Sequence, residues 1–176
     1  YRLKNYTGAV EAYDLAIQYV PDHAHAHYQR GLALSALGKY EKAIRSFKHA
    51  LEHDPSLQDA LFQSGIAYAN MSRYVQALSA FDKLLELNPR NAAALYHKGR
   101  MLAKLLRTDE ALAVLDASLD LENNSAEVWL LKGSVLLDLD RPADALTAFD
   151  RVLALTPDDT RAWYRKGKAF AGLRQY

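Results

Sequence analysis

The chain has 176 residues, half of them apolar, and its 22 Lys and Arg against 21 Asp and Glu leave a net charge of +1. A chain of this length can bury a core, and the charge balance excludes a global pull toward nucleic acid or an anionic membrane. With no cysteine, disulfides, thiolate chemistry and cysteine-based zinc sites are excluded, and no apolar run approaches the roughly 20 residues of a membrane span.

Residues 1–23 read as one helix with the apolar stripe Tyr6, Ala9, Tyr13, Ala16 and Ile17, closed by Pro21. The stretch 24–57 reads as two helices. The first carries Ala26, Leu34 and Leu37. Gly38 and Lys39 turn the chain, and the second helix carries Tyr40, Ala43, Ile44, Phe47, Ala50 and Leu51 until Pro55 stops it. Offsets of three and four are the helical period, and so short a turn joins antiparallel neighbours. Residues 58–91, 92–125 and 126–159 repeat the plan, with Pro142 opening a second helix where its missing N–H is harmless. Residues 160–176 hold a first helix alone. No stretch alternates in the β manner, so no strand is assigned.

The plan has a fixed period. Gly31, Gly65, Gly99, Gly133 and Gly167 stand 34 residues apart, as do Ala9, Ala43, Ala77, Ala111 and Ala145. Pro21, Pro55, Pro89 and Pro157 keep the same register, with Asn123 in the remaining place. Tyr13, Phe47, Phe81, Leu115 and Phe149 form a fourth series. Periods of roughly 20 to 50 residues signify stacked repeats. Glycine inside a helix costs about 1 kcal/mol against alanine. The glycine series therefore predicts a close helix crossing that admits no Cβ, faced by the recurrent alanine of the second helix.

These marks resemble the tetratricopeptide repeat, a unit of the same length with the pattern W-x2-L-G-x2-Y, A-x3-F and P. The likeness runs through the whole chain and is fullest at Trp129, Gly133, Ala145, Phe149 and Pro157, then Trp163, Gly167 and Phe170. It departs where Arg30, Ser64, Lys98, Lys132 and Lys166 replace the leucine before the glycine, and the unit 92–125 has no Trp, Phe or Pro. The Lys-Gly spelling is similar to archaeal and bacterial members. The resemblance implies an all-α, right-handed α-solenoid of stacked antiparallel helix pairs. It makes 1–176 a single domain: full repeats 24–57, 58–91, 92–125 and 126–159 between partial repeats 1–23 and 160–176. The opening YRLKNYTG lacks Met, so a fragment of a longer chain is expected, and its setting is expected to be cytoplasmic.

His23, His25 and His27 suggest a metal site at first sight. Residues two apart, however, do not share a helix face. Asp22 is the expected N-cap, His23 falls in the connection, and His27 takes the packing register of Leu61, Leu95, Trp129 and Trp163. His49 and His53, four apart, do share a face, and His53 aligns with Leu87, Leu121 and Leu155, which predicts half-burial. No metal and no cofactor are expected. Nor is an enzyme: the glycines are isolated, Ser35, Ser64, Ser79 and Ser134 lack a nucleophile-elbow context, and the carboxylates of 126–159 spread around two helices.

In the family resembled, first helices line a concave side that takes extended or helical peptides. Carried onto this sequence, that surface gives three rows: Tyr28, Phe62, Tyr96, Leu130 and Tyr164; Leu32, Ile66, Arg100, Ser134 and Lys168; Gln29, Gln63, His97, Leu131 and Arg165. The first row reads equally as packing between repeats. The second is apolar at its N-terminal end and basic at its C-terminal end. Of the carboxylate clamp of chaperone-type members, Arg161 and Arg165 resemble the last two positions, while Tyr96, Arg100 and Leu131 replace the others, which argues against that ligand.

Charge is uneven along the chain. Residues 126–159 carry Glu127, Asp138, Asp140, Asp144, Asp150, Asp158 and Asp159 against Lys132, Arg141 and Arg151, and 160–176 carries Arg161, Arg165, Lys166, Lys168 and Arg174 with no acid. Lys166 is assigned to attraction between neighbouring repeats, and Arg165 and Lys168 to an acidic peptide. The sequence thus predicts a non-catalytic scaffold whose partner is a protein or peptide with apolar and acidic segments. It also predicts head-to-tail self-association through the two half-repeats. Two alternatives are the regulatory arm of a larger enzyme and an RNA-binding helical repeat, the latter disfavoured by the period and the charge.

Overall fold

The computed structural model of the chain describes the backbone of residues 2–173 and the side chains of 5–173. Ten α-helices and no strand occur among them: α1 Arg2–Tyr19, α2 Ala24–Ala36, α3 Tyr40–His53, α4 Gln58–Asn70, α5 Tyr74–Leu87, α6 Ala92–Lys104, α7 Thr108–Leu121, α8 Ala126–Asp138, α9 Pro142–Leu155 and α10 Thr160–Leu173. They fall into two compact units, 1–89 and 90–176. In the first, α2 pairs with α3 and α4 with α5, and α1 packs on α2. In the second, α6 pairs with α7 and α8 with α9, and α10 packs on α9 and touches α8.

The centre of each helix pair is one large side chain. Phe47, Phe81, Leu115 and Phe149 are fully buried, as are Ala43, Ala77, Ala111 and Ala145 one turn before them. The glycines sit against these large residues. A Cβ on Gly65 would lie 2.6 Å from Phe81 Cζ, one on Gly133 2.5 Å from Phe149 Cε1, and one on Gly99 2.8 Å from Leu115 Cγ; Gly31 meets Phe47 in the same way. The close approach is therefore real at four of the five glycines. The atom that excludes a Cβ belongs to the ring or Leu115, not to the alanine expected to face it. Gly167 has open space instead.

The turns obey the same period. Gly38, Ser72, Leu106 and Asp140 all take φ between 54° and 71°. Behind each, the next N–H reaches back to a carbonyl in the last turn of the first helix: Lys39 to Leu34, Arg73 to Tyr68, Arg107 to Leu102 and Arg141 to Leu136, each at 2.9 Å. This is the bond pattern of a left-handed helix terminus, which favours glycine. Only the first of the four supplies one. Second helices close on Asp54, Asn88, Glu122 and Thr156, whose φ lies between −138° and −146°. A residue before proline is pushed to this extended region, and Glu122 adopts it before Asn123 as well.

The N-cap of α2 is His23, whose Nδ1 accepts from the Ala26 N–H at 3.4 Å; it is not Asp22. The basic residues standing in place of leucine make a recurrent bond. Arg30 meets Asp14 at 2.5 Å, Lys132 meets Asp116 at 2.6 Å and Lys166 meets Asp150 at 2.5 Å. Each joins a first helix to the second helix of the preceding repeat, so Lys166 does bind a neighbour, as its charge predicted.

Candidate functional site: a basic cleft on the last helix

The histidines separate on folding. His23 caps α2, and His25 is exposed and bonded to Gln29 at 3.2 Å. His27 is buried and lies 2.8 Å from the Pro21 carbonyl. A carbonyl only accepts, so His27 Nε2 carries the proton and donates. Trp129 and Trp163 do the same in register, their indole N–H groups reaching the carbonyls of Asn123 and Pro157 at 2.8 and 2.9 Å. His27 thus does the work of those tryptophans. Its ring also lies 5.4 Å from that of His49 and 5.8 Å from that of His53. His53 is exposed, not half-buried. Among the described residues no group of three or more His, Cys, Asp or Glu has the geometry to hold a metal ion.

In the first unit, Tyr28 of the aromatic row is buried with its ring 6.0 Å from that of Phe47, and Phe62 lies edge-on to Phe81 at 5.9 Å. Both rings pack within helix pairs. Gln29, Leu32, Gln63 and Ile66 are half-buried. A cleft of about 310 Å³ between α3, α4 and α5 is lined by none of the predicted residues.

In the second unit, Leu130 is buried in the α8–α10 core, and Tyr96, His97, Arg100 and Leu131 are half-buried. Burial first, and then the Arg100 charge, push the His97 imidazole down to about 4, so it is neutral at pH 7. The last members of all three rows meet in a cleft of about 640 Å³ lined by Ser134, Leu137, Asp138, Asp140, Pro142, Arg161, Tyr164, Arg165, Lys168, Ala171 and Gly172. α10 supplies its basic wall, and the α8–α9 turn its acidic rim. Arg161 is held by Glu127 and Asp159, both at 2.7 Å. Its side-chain bond to Asp159 keeps that carboxyl below its ordinary value. Arg165 instead donates to the Ser134 hydroxyl, which in turn donates to the Leu130 carbonyl at 2.7 Å. Lys168 is exposed, its ammonium 5.5 Å from the centroid of the Tyr164 ring. Two cations thus face the cleft with a hydroxyl and a ring as their contacts.

Models described as tetratricopeptide repeat or TPR repeat match residues 1–38, 24–57 and 130–176. The chain belongs to the tetratricopeptide repeat family. Its fold is accordingly the α-solenoid of that family, an array that serves as a protein-interaction scaffold. Residues 70–152 also match a model described as anaphase-promoting complex, cyclosome, subunit 3.

Among solved structures, the chain is similar to YrrB, described as a TPR protein with an unusual peptide-binding site. The two are 28% identical with a TM-score of 0.79, over 92% of this chain and 84% of that one. MamA from Desulfovibrio magneticus RS-1 is 25% identical, with a TM-score of 0.76 over 86% and 92%. PilF of Pseudomonas aeruginosa is 26% identical, with a TM-score of 0.75 over 87% and 70%. No curated protein matches the chain. No helix of the described residues is long and apolar enough to cross a membrane.

Several lining residues were beyond sequence reasoning. Asp138, Asp140 and Pro142 line the cleft together with α10, a Cβ on Gly172 lying 3.5 Å from Pro142 Cβ. Their only sequence signal is that they flank a turn register. Arg174, counted with the basic tail, lies outside the described residues.

Proposed function

We propose that this tetratricopeptide array is a non-catalytic scaffold that holds an acidic segment of a partner protein in the α10 cleft. The observation that carries the reading is the state of Arg165 and Lys168. Both line a cleft of about 640 Å³, and among the described residues neither has a carboxylate as a contact. An incoming Asp or Glu side chain gains charge-assisted hydrogen bonds without first displacing an acid of the protein. The Tyr164 ring beside them offers apolar area with a polar tip, a favoured combination at interfaces. The likeness to YrrB, itself described as having a peptide-binding site, supports a peptide as the ligand. The sequence also predicts an apolar segment in the partner and assigns Leu32 and Ile66 to it, both of them half-buried within the first unit.

Fluorescence polarisation with labelled peptides that join an acidic run to an apolar run tests this reading. Arg165→Gln with Lys168→Gln weakens binding at least tenfold and flattens its salt dependence, because screened charges are removed. Leu32→Glu with Ile66→Glu weakens binding while the salt dependence persists. Unchanged affinity in both doubles places the partner on another face and refutes the proposal.

A further inference from the structure

The ion pair that joins neighbouring repeats is missing on α4, and a cleft opens there. Arg30, Lys132 and Lys166 each reach an aspartate on the preceding second helix: Asp14, Asp116 and Asp150. On α4 the same register holds Ser64, and the aspartate's place on α3 holds Lys48. A short hydroxyl stands for a long basic stem, and a cation stands for the acid. No ion pair can form between them.

What results is the cleft of about 310 Å³ between α3, α4 and α5. Ile44, Leu51 and Leu61 give it apolar walls, and Lys48, Ser64 and Lys83 are among its polar lining. Ser64 is only 7% exposed, and its hydroxyl has no hydrogen-bond partner among the described residues. Lys83 is exposed and has no carboxylate contact among them. Lys48 reaches Glu52, one turn along its own helix, only at 3.8 Å, and Glu52 is already bonded to His49 at 2.9 Å.

The second unit holds the same cleft with the ion pair made. Between α7, α8 and α9, Leu112, Asp116, Trp129, Lys132 and Asp144 line it in the registers of Ile44, Lys48, Leu61, Ser64 and Gln76. Its cations are both paired, Lys132 with Asp116 at 2.6 Å and Arg141 with Asp144 at 2.5 Å. The first-unit cleft has two lysines and no acid in its lining.

We infer that the cleft between α3, α4 and α5 receives an acidic side chain with apolar neighbours, carried by a segment of a partner protein. The carboxylate accepts from the Ser64 hydroxyl and from the lysine ammonium groups, and supplies the charge that Asp116 supplies in the second unit. The apolar walls select the ligand further. A bare inorganic anion fills a small part of the volume and leaves Leu51 and Leu61 wet, whereas apolar neighbours of the carboxylate cover them. This docking point shares no residue with the α10 cleft, so it stands or falls apart from the peptide reading there.

Titration of ¹⁵N-labelled protein with a capped tripeptide of leucine, glutamate and leucine tests the inference. The same tripeptide with glutamine at its centre and inorganic phosphate are the comparisons. Saturable amide shifts at Lys48, Ser64, Tyr68 and Lys83 are expected with the glutamate peptide, about tenfold weaker binding with glutamine, and no such shifts with phosphate. Ser64→Lys with Lys48→Asp installs the bridge of Lys132 and Asp116. It should keep the thermal midpoint and abolish the shifts. Lys83→Gln, at an exposed position, should weaken binding without touching the fold, and Arg165→Gln with Lys168→Gln should leave these shifts unchanged. Equal binding of the glutamine peptide, the same shifts with phosphate, none at millimolar glutamate peptide, or shifts that survive the installed bridge would overturn the inference.

Discussion

Leu106 turns the chain with φ 59° while 84% exposed. A side chain there strains the backbone by about 1 kcal/mol and returns no packing. Leu106→Gly should raise stability by about 0.5–1 kcal/mol, read as a higher urea midpoint with unchanged slope. Gly99→Leu works the other way, since Leu115 and Val114 already fill the space a Cβ needs. Overpacking should lower stability by about 1–3 kcal/mol. At His97 the imidazole is neutral in the fold and titrates at about 4. The unfolded chain takes up that proton nearer the ordinary value, about 6.5. The group's contribution to stability is thus whole above about pH 6.5 and is lost as pH falls toward 4. Glutamine stands in the same register at Gln29 and Gln63, so His97→Gln should fold. Its urea midpoint should drop less than the parent's between pH 7 and 4.5. Equal drops would show that His97 is not the group concerned. The period placed every one of these residues. It did not show that glycine answers to the ring, because that pairing spans two helices whose relative rotation no single-helix stripe records. The role of His27 became visible only beside Trp129 and Trp163 and the carbonyls they share.

Helix pairs follow from apolar stripes and turn residues, which is why an all-α chain was legible in the sequence. What ties one repeat to the next was legible only at Lys166, through the uneven charge of the last two segments. Arg30, Lys132 and Lys166 looked like departures from the family pattern, yet each pairs with an aspartate sixteen residues back: Asp14, Asp116 and Asp150. A basic stem covers apolar surface while its head reaches the neighbouring helix, so it takes over part of what leucine does. These pairs are partly exposed, so each should contribute modestly. A double-mutant cycle on Lys132→Ala and Asp116→Ala should give a coupling of about 0.2–1 kcal/mol that shrinks with salt. A coupling near zero at low salt would leave the helix contact to packing alone.

On the scale of the whole molecule, the repeats serve a surface. The sequence distributed that surface evenly along the first helices. Its members have since parted ways: Tyr28 and Leu130 are buried in cores, while Ser134, Tyr164, Arg165 and Lys168 line one cleft. A row of equivalent positions says which side chains share a face. It does not say which of them a neighbouring ring has already claimed. The proposed function turns on this cleft receiving the acidic part of a partner. Titration of ¹⁵N-labelled protein with an acidic peptide, followed by backbone amide shifts, reports on the cleft itself. Saturable shifts centred on Ser134, Tyr164, Arg165 and Lys168 are expected. Saturable shifts confined to α3, α5, α7 and α9, or none at millimolar peptide, would contradict it.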